Sequence, residues 1–169
     1  MQNNLYCPNC GHKLIKKELE HEGLVPYCEN CTEYHFPLYS VAVSMIILNE
    51  KENKILLIKQ YNTDFYRFVA GYINKGEAAE EAVKREMLEE IGIAPIKIFP
   101  LKTAFFAKTE TLMLNYLAII DTLNLNTNYE IDSYNWFTIE EAYNNLKEAK
   151  LAKIFFEYFL NKRGELLNV

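Results

Sequence analysis

The stretch GYINKGEAAEEAVKREMLEEIGI, residues 71–93, decides how the rest of the chain is interpreted. From residue 78 to residue 91 it contains good helix formers and no proline, which predicts an α-helix. Gly92 follows at the place where a left-handed C-cap would end that helix. An apolar stripe with a spacing of four residues would pack on a sheet, and it consists of Val83, Met87 and Ile91.

A second face of the same helix is acidic. Glu86, Glu89 and Glu90 have the spacing i, i+3, i+4, so we expect their carboxylates to converge. Three like charges within one turn repel one another, and a divalent cation would offset that repulsion. Oxygen ligands favour Mg2+ or Mn2+. Arg85 lies four residues after Glu81 and four before Glu89, so its guanidinium can brace either carboxylate.

The alternative interpretation is an ordinary solvated acidic face, and the fixed positions of the stretch argue against it. Seven residues fit the pattern G-x5-E-x7-R-E-U-x-E-E-x-G-U, with U bulky and apolar: Gly71, Glu77, Arg85, Glu86, Glu89, Glu90 and Gly92. Met87 and Ile93 occupy the two U positions. This is the pattern of the Nudix box, and the chain therefore resembles Nudix hydrolases.

The resemblance implies an α/β fold, the α/β/α sandwich with a mixed sheet. It also implies metal-assisted hydrolysis of a nucleoside diphosphate linked to another group. Glu86, Glu89 and Glu90 would then hold one to three Mg2+ or Mn2+ ions, and Arg85 would orient the glutamates. Glu77 is expected to stabilise the loop and the helix start rather than to perform chemistry.

The composition is that of a globular chain with enough apolar residues for a core. Half of its 169 residues are hydrophobic, and the net charge is −5 at pH 7. The negative charge gives no general attraction to nucleic acid or to an anionic membrane. The resemblance implies a small nucleotide as the partner. The first ten residues lack the basic and apolar segments of a signal peptide, and the longest apolar run, within residues 41–48, is too short for a membrane span. We therefore expect a cytoplasmic protein.

All four cysteines lie in the first 31 residues, in two C-x2-C pairs made by Cys7, Cys10, Cys28 and Cys31. This spacing is typical of a zinc ribbon, in which four thiolates bind one Zn2+. The segment is too short to fold on a core alone, so metal binding would supply much of its stability. Two disulfides or a redox pair are the alternatives. Because four thiolates complete the site, we expect the histidines to be surface residues: His12, His21 and His35.

The junction between the two parts of the chain is placed at Pro37. We expect residues 1–36 to form the zinc ribbon, with a hairpin made by residues 13–20 and 24–27, and residues 37–169 to form the hydrolase domain. Residues 1–37 carry three lysines and five glutamates, which argues against a docking surface for nucleic acid. A structural role or a role in forming a dimer is expected instead.

Hydrophobic patterns predict the strands and helices of the larger domain. The predicted strands cover residues 41–48, 54–60, 66–69, 96–106, 111–120 and 134–137. Helices are predicted for residues 139–146 and 150–162. The apolar face of the last helix is expected to consist of Leu151, Ile154, Phe155, Tyr158 and Phe159. Helices on both faces of a sheet agree with the sandwich architecture.

A narrower resemblance points to the NADH pyrophosphatase-like branch of Nudix hydrolases, in which a four-cysteine ribbon precedes the Nudix domain. Residues 69–77, VAGYINKGE, are similar to its L-A-G-F-V-E-x-G-E segment, and residues 112–118, LMLNYLA, to its L-M-x-x-F-x-A strand. Glu130 resembles a further metal-binding glutamate of that branch and is our candidate for an additional ligand or base. An ordinary loop carboxylate is an equal alternative, and Glu110 is the next candidate. A homodimer is expected by resemblance alone.

One segment departs from that branch. Where its members carry S-Q-P-W-P-F-P-x-S, residues 103–111 are TAFFAKTET. Since the missing glutamine, tryptophan and prolines are the substrate signature of the branch, specificity for reduced nicotinamide is not implied. The chain also begins at the ribbon, so we expect it to lack the additional N-terminal domain of longer members.

Three functions therefore stay open at this point. The first is hydrolysis of NAD(H) or a related dinucleotide or ADP-ribose, and the second is a housecleaning pyrophosphatase for nucleoside triphosphates or nucleotide sugars. The third is a non-hydrolytic sensor or interaction module, although such a protein has no need for three metal-binding carboxylates. A base needs a flat apolar slot. Its candidate residues, each more typical of a core, are Phe65, Tyr66, Phe68, Phe105 and Phe106.

Overall fold

The computed structural model describes residues 5–146 and 149–167. Contacts along the chain divide it into two units, with the break between Tyr39 and Ser40. The junction predicted at Pro37 lies just before this break. The assignment of residues 1–36 and 37–169 as two domains stays a prediction.

The N-terminal unit is a small antiparallel sheet in the order β1 (Ile15–Leu19), β2 (Gly23–Cys28), β3 (Glu33–Tyr34). The predicted hairpin is confirmed, because β1 pairs with β2 throughout. Its buried apolar residues are Cys7, Val25 and Cys28. So small a core provides little hydrophobic stabilisation, which agrees with a unit that depends on a metal ion.

In its described residues, the second unit is built on one mixed sheet with three helices. Its elements are β4 (Ser40–Asn49), β5 (Lys54–Gln60), β6 (Val69–Tyr72), α1 (Ala79–Ile91), β7 (Lys97–Phe106), β8 (Thr111–Ile120), β9 (Ile131–Phe137), α2 (Ile139–Asn145) and α3 (Lys150–Leu167). The strand order is β7-β8-β4-β5-β9, and β6 pairs with the first half of β4. The β4–β8 pair is parallel and the other pairs are antiparallel.

Helices cover both faces of this sheet. On one face, Met45 and Ile47 of β4 belong to the same core cluster as Val83, Met87 and Ile91 of α1. On the other face, alternate residues of β4 cluster with α2 and α3, through Ile46, Leu48, Ala142, Phe156 and Phe159. The alternation follows from the period of two in a strand. The predicted α/β/α sandwich is thus confirmed.

Some details of the prediction are wrong, and the last strand and the last helix are also longer than predicted. The strand expected at residues 66–69 is β6, Val69–Tyr72, because pairing with β4 begins only at Val69, opposite Met45. In the last helix Phe156 is buried, whereas Ile154 is 46% exposed. This helix turns toward Phe68, whose ring centroid lies 5.9 Å from that of Phe156.

Within residues 5–146 and 149–167, no helix is long and apolar enough to cross a membrane.

Candidate active site and cysteine centre

Helix α1 begins and ends at fixed points that set the positions of its glutamates. At its start, the Ala78 backbone N–H donates to Glu81 Oε2 at 2.9 Å. At its end, Gly92 adopts φ 72° and its N–H donates to the carbonyl of Leu88. The left-handed C-cap predicted from the sequence is thus confirmed. Because Glu81 caps the helix start, it is not the partner of Arg85, and that part of the prediction is wrong.

Strand β6 holds the first glutamate in place. Glu86 is 9% exposed. Its side chain lies directly over the backbone of Gly71. A Cβ atom at Gly71 would overlap the Glu86 carboxylate. A glycine is therefore needed at this position for space rather than for backbone conformation.

Arg85 connects the loop before α1 with the glutamates on it. Its Nε and Nη2 atoms donate to the two carboxylate oxygens of Glu77, at 2.7 and 2.9 Å. Its Nη1 donates to Glu86 at 2.7 Å and to Glu89 at 3.1 Å, and Nη2 also donates to the Tyr72 carbonyl at 2.9 Å. These bonds with Arg85, first among the causes, lower the pKa of Glu77 to about 2. Arg85 thus fixes two of the three carboxylates.

Glu90 is the buried member of the set. Its surface is 3% exposed, and its Oε2 accepts a hydrogen bond of 2.9 Å from the side-chain amide of Gln60. Burial, followed by the negative charges of Glu86 and Glu130, raises the pKa of Glu90 to about 8. A carboxylate in this setting lacks a counter-charge, and a cation bound nearby would provide it.

The chemistry of these side chains fits a divalent ion with oxygen ligands. In the part of the chain that the structure describes, three carboxylates do not come within 4.8 Å of one another. Instead, Glu86 and Glu89 share the Nη1 atom of Arg85, while Glu90 is turned toward Gln60. The negative charges of Glu86, Glu130 and Glu89 all contribute to the raised pKa of Glu90. The three box glutamates and Glu130 therefore surround one acidic region.

Glu130 lies on the loop that leads into β9. It is half-buried, and its backbone N–H is held by the side chain of Asn128 at 2.9 Å. Its charge contributes to the raised pKa of Glu90. Glu110, the next candidate, lies in the turn between β7 and β8, at φ 48°.

The four cysteines gather at one point of the N-terminal unit. Their sulfur atoms all lie within 4.8 Å of one another, with 3.9 Å between Cys7 and Cys31 and 3.5 Å between Cys10 and Cys28. All four are free thiols, so the disulfide alternative is not what the structure contains. A hydrogen bond from the backbone of His12 is the main cause that lowers the pKa of Cys10 to about 6, whereas burial raises the pKa of Cys28 and the hydrogen bond with Cys10 raises the pKa of Cys31. A thiolate at neutral pH is the form that binds Zn2+.

Each C-x2-C pair is followed directly by a residue in the left-handed conformation, Gly11 at φ 72° and Thr32 at φ 57°. One histidine departs from the expectation for surface residues. Nε2 of His35 lies 3.4 Å from the sulfur of Cys7, so this ring belongs to the cysteine centre. A ring nitrogen that donates to a ligating sulfur is a common outer contact of metal sites.

Comparison with known families classifies the chain. The NUDIX domain family matches residues 38–159, which is most of the sequence. The chain belongs to the Nudix family. The sequence-based recognition is thereby confirmed, and the cysteine cluster makes the ribbon-containing branch a consistent choice.

Several relatives are similar to this Nudix chain. The NAD-capped RNA hydrolase NudC of Vibrio cholerae is 33% identical over 138 residues, which cover 80% of the chain and 49% of that protein. Its namesake from Vibrio vulnificus is 27% identical over 168 residues, covering 97% of the chain and 62% of that protein. Nudix hydrolase 19, chloroplastic, of Arabidopsis thaliana is 30% identical over 158 residues, which cover 88% of the chain and 35% of that protein. The chain spans about half the length of the first curated relatives it matches.

Solved Nudix structures show the same fold. A NUDIX hydrolase from Nitrosomonas europaea aligns with a TM-score of 0.63 and 20% identity, covering 95% of this chain and 92% of that one. An Ap4A hydrolase from C. elegans aligns with a TM-score of 0.63 and 19% identity, covering 75% of this chain and 98% of that one. At these identities the likeness concerns the fold alone.

The aromatic candidates occupy different places in the Nudix unit. Phe68 is 3% exposed and packs under α3, so it has little surface for a ligand. Tyr66 is half-buried, with its ring edge against Phe137 at 5.0 Å, and its hydroxyl accepts from Asn135 at 2.8 Å. Phe105 and Phe106, at the end of β7, are 54% and 37% exposed.

Sequence reasoning missed two residues beside the Nudix glutamates. Gln60 ends β5 and holds Glu90, and Tyr61 follows it in the next loop. The carboxylates of Glu130 and Glu90 act on Tyr61, whose pKa is raised first by partial burial and then by these charges. No motif marks either position, because only the pairing of β5 with β9 brings the end of β5 to the acidic region.

Proposed function

We propose that this protein is a metal-dependent hydrolase that cleaves the pyrophosphate of a nucleoside diphosphate derivative, with NAD(H), a related dinucleotide or ADP-ribose as substrate. The observation that carries the proposal is the arrangement of the box glutamates. Glu86 and Glu89 are braced by Arg85, and the buried Glu90 has no positively charged partner at hydrogen-bond distance among the described residues. The relatives named NAD-capped RNA hydrolases support an NAD-related pyrophosphate as the bond that is cleaved.

Glu86, Glu89 and Glu90 would hold Mg2+ or Mn2+. When bound, the ion lowers the pKa of a water molecule and neutralises charge on the phosphates. The chain supplies the geometry: Gly71 leaves the space for the Glu86 carboxylate, and Gln60 fixes the orientation of Glu90. Glu130 is our candidate to accept the proton that the attacking water loses, or to act as a further ligand. As water adds to one phosphorus, the bridging P–O bond breaks and the second phosphate leaves with the electron pair.

Assaying a substrate panel tests the proposal. NADH, NAD, ADP-ribose, nucleotide sugars and deoxynucleoside triphosphates are offered with Mg2+ or Mn2+, and the phosphate products are identified. We expect mononucleotide release from NAD(H) or AMP release from ADP-ribose. Binding of these compounds without turnover of any of them would refute a hydrolase and support the sensor alternative.

A second candidate, in the same reaction class, is hydrolysis of nucleoside triphosphates or nucleotide sugars. It is favoured by residues 103–111, which lack the substrate signature of the NADH pyrophosphatase-like branch. The same panel separates the two, since a preference for triphosphates would show pyrophosphate and a nucleoside monophosphate as products.

The names of the relatives also raise the question of RNA. The net charge of −5 predicts weak general attraction to RNA, so a capped RNA would have to be recognised mainly at its cap. We expect NAD-capped RNA, if cleaved, to show a weak dependence of KM on salt.

A homodimer is proposed by resemblance to the branch, and the mass in solution by light scattering tests it.

The cysteine centre is proposed to hold one Zn2+. Native mass spectrometry is expected to find one zinc ion per chain, and Cys28→Ser, which removes a buried thiol, is expected to lose the ion and to unfold the N-terminal unit. His21→Ala is the matched control, because the His21 side chain is 89% exposed. Zinc-free protein with an unchanged melting temperature would contradict the assignment.

A further inference from the structure

The loop between β5 and β6 carries a cluster of two aromatic rings and one cation. Tyr61 is 66% exposed and Phe65 is 41% exposed. The guanidinium carbon of Arg67 lies 4.6 Å from the ring centroid of Phe65 and 5.7 Å from that of Tyr61. Both distances are those of cation–π pairs, and a large part of each aromatic side chain remains exposed.

Arg67 is not committed to an ion pair. Among the residues that the structure describes, no carboxylate lies within 4.0 Å of its nitrogens. Its Nη2 donates to the hydroxyl of Thr63 at 2.9 Å, and its buried Nε has no hydrogen-bond acceptor. An arginine with a neutral partner and an orphaned Nε is held chiefly by the two rings.

This cluster lies next to the acidic region. The side-chain amide of Gln60 donates to Glu90 at 2.9 Å, and the backbone carbonyl of Gln60 accepts from the hydroxyl of Thr63 at 2.7 Å. Thr63 in turn accepts the hydrogen bond of Arg67. Three hydrogen bonds thus link a box glutamate to Arg67 through the side chain and backbone of Gln60 and the hydroxyl of Thr63. Tyr61 follows Gln60 directly and interacts electrostatically with Glu130, Glu90 and Glu86.

The backbone at Tyr61 is strained. Tyr61 and Asn62 have φ of 59° and 52°, in the left-handed region that a bulky aromatic residue rarely adopts. The turn is held from β9, because the Asn62 N–H donates to Asp132 Oδ2 at 2.7 Å. Core packing does not explain a solvent-exposed ring in such a conformation, and strain of this kind clusters at functional sites.

We propose that Tyr61 is the stacking residue for a base of the nucleotide substrate, with Phe65 and Arg67 as positioning residues that hold its ring beside the glutamates. The ligand class is a nucleotide whose phosphate lies at the acidic region and whose heteroaromatic base covers the open face of Tyr61. This inference rests on the proposed function, since it assumes that a nucleotide phosphate binds at the glutamates. Aromatic stacking tolerates different bases, which suits a site without the branch's substrate signature.

The experiment compares ligands that differ only in the base. AMP, nicotinamide mononucleotide and ribose 5-phosphate are titrated by calorimetry into the 169-residue chain with excess Mg2+. We expect the nucleotides to bind wild type more tightly than ribose 5-phosphate, and Tyr61→Leu to lose roughly tenfold in nucleotide affinity. Its affinity for ribose 5-phosphate stays unchanged. Tyr61→Phe, which keeps the ring and removes the hydroxyl, is the matched control and is expected to bind like wild type.

The positioning residues have their own test. Arg67→Leu is expected to reduce the preference for AMP over ribose 5-phosphate, and Arg67→Lys, which restores a cation, is expected to recover it. If Tyr61→Leu loses affinity for AMP alone, Tyr61 stacks on adenine. If it loses affinity for nicotinamide mononucleotide alone, Tyr61 stacks on nicotinamide.

An unchanged preference in Tyr61→Leu, or no preference in wild type, would overturn the inference. Because binding is measured without turnover, this result is separate from failure of the hydrolase assignment. A melting temperature for each variant shows that it is folded, as expected for a residue that contributes little to the core.

Discussion

Glu89→Gln is expected to lower kcat roughly a thousandfold, the scale of losing one charge-stabilising group in an active site. The fold should be retained, because the Glu89 side chain is 57% exposed and the amide keeps the shape of the carboxylate. One oxygen of Glu89 accepts from Arg85 Nη1 at 3.1 Å, and glutamine can still provide that acceptor. What it loses is the negative charge for the divalent ion. The measurement is kcat with Mg2+ on the substrate that the panel identifies, together with the melting temperature.

Glu140→Gln is the matched control for this loss of charge. Glu140 is an exposed glutamate in the first turn of α2, away from the box helix. It should leave kcat within about twofold of wild type, as surface substitutions usually do. A Glu89→Gln enzyme with a near-normal rate would refute the role of Glu89 as a metal ligand.

Gly71→Ala is expected to lower kcat roughly a hundredfold, by displacing a carboxylate that we propose binds the metal ion, without changing its chemistry. The added Cβ would overlap the end of the Glu86 side chain, which must then move. Moving it breaks the 2.7 Å bond to Arg85 Nη1. Since a flexible side chain rather than the backbone gives way, the free energy of unfolding should fall by only about 1 kcal/mol. Activity and stability are therefore expected to separate in this variant.

Gly76→Ala provides the contrasting case. A Cβ at Gly76 meets no atom within 4 Å, but the residue adopts φ 86°. We expect a loss of stability of about 1–2 kcal/mol from the backbone conformation, with most of the kcat retained. If Gly71→Ala kept the wild-type rate, the position of the Glu86 carboxylate would not matter for the reaction, and the proposed site would be wrong.

Local signals predicted the parts of the molecule that depend on neighbouring residues. Helix propensity, the spacing of the apolar residues and the glycine C-cap define α1 within one residue, because each acts over a turn or two. The cysteine spacing likewise predicted the cluster of sulfurs. The partner of Arg85 was harder, since Glu77 precedes the helix. It reaches the guanidinium only because the loop folds back, with the Asn74 N–H donating to Glu77 at 2.9 Å.

Features that depend on long-range pairing could not be predicted in this way. The register of β6 is decided by β4, and the preceding residues look equally like a strand by composition. The exposed Ile154 and the buried Phe156 differ only in which side of α3 meets the sheet. Gln60 and Tyr61 reach the acidic region through the β5–β9 pair, and nothing in residues 60–61 indicates that neighbour.

The parallel pairing of β4 with β8 has a consequence for how the chain folds. Ser44 and Asn115, which face each other in this ladder, are 71 residues apart in the chain. The intervening residues include β6, α1 and all three box glutamates, so closing this large loop precedes any complete active site. Closing the loop lowers the conformational entropy before native contacts form to offset that loss, and such non-local topologies fold slowly. The acidic region should therefore be among the last parts of the nascent protein to form, after synthesis has passed β8.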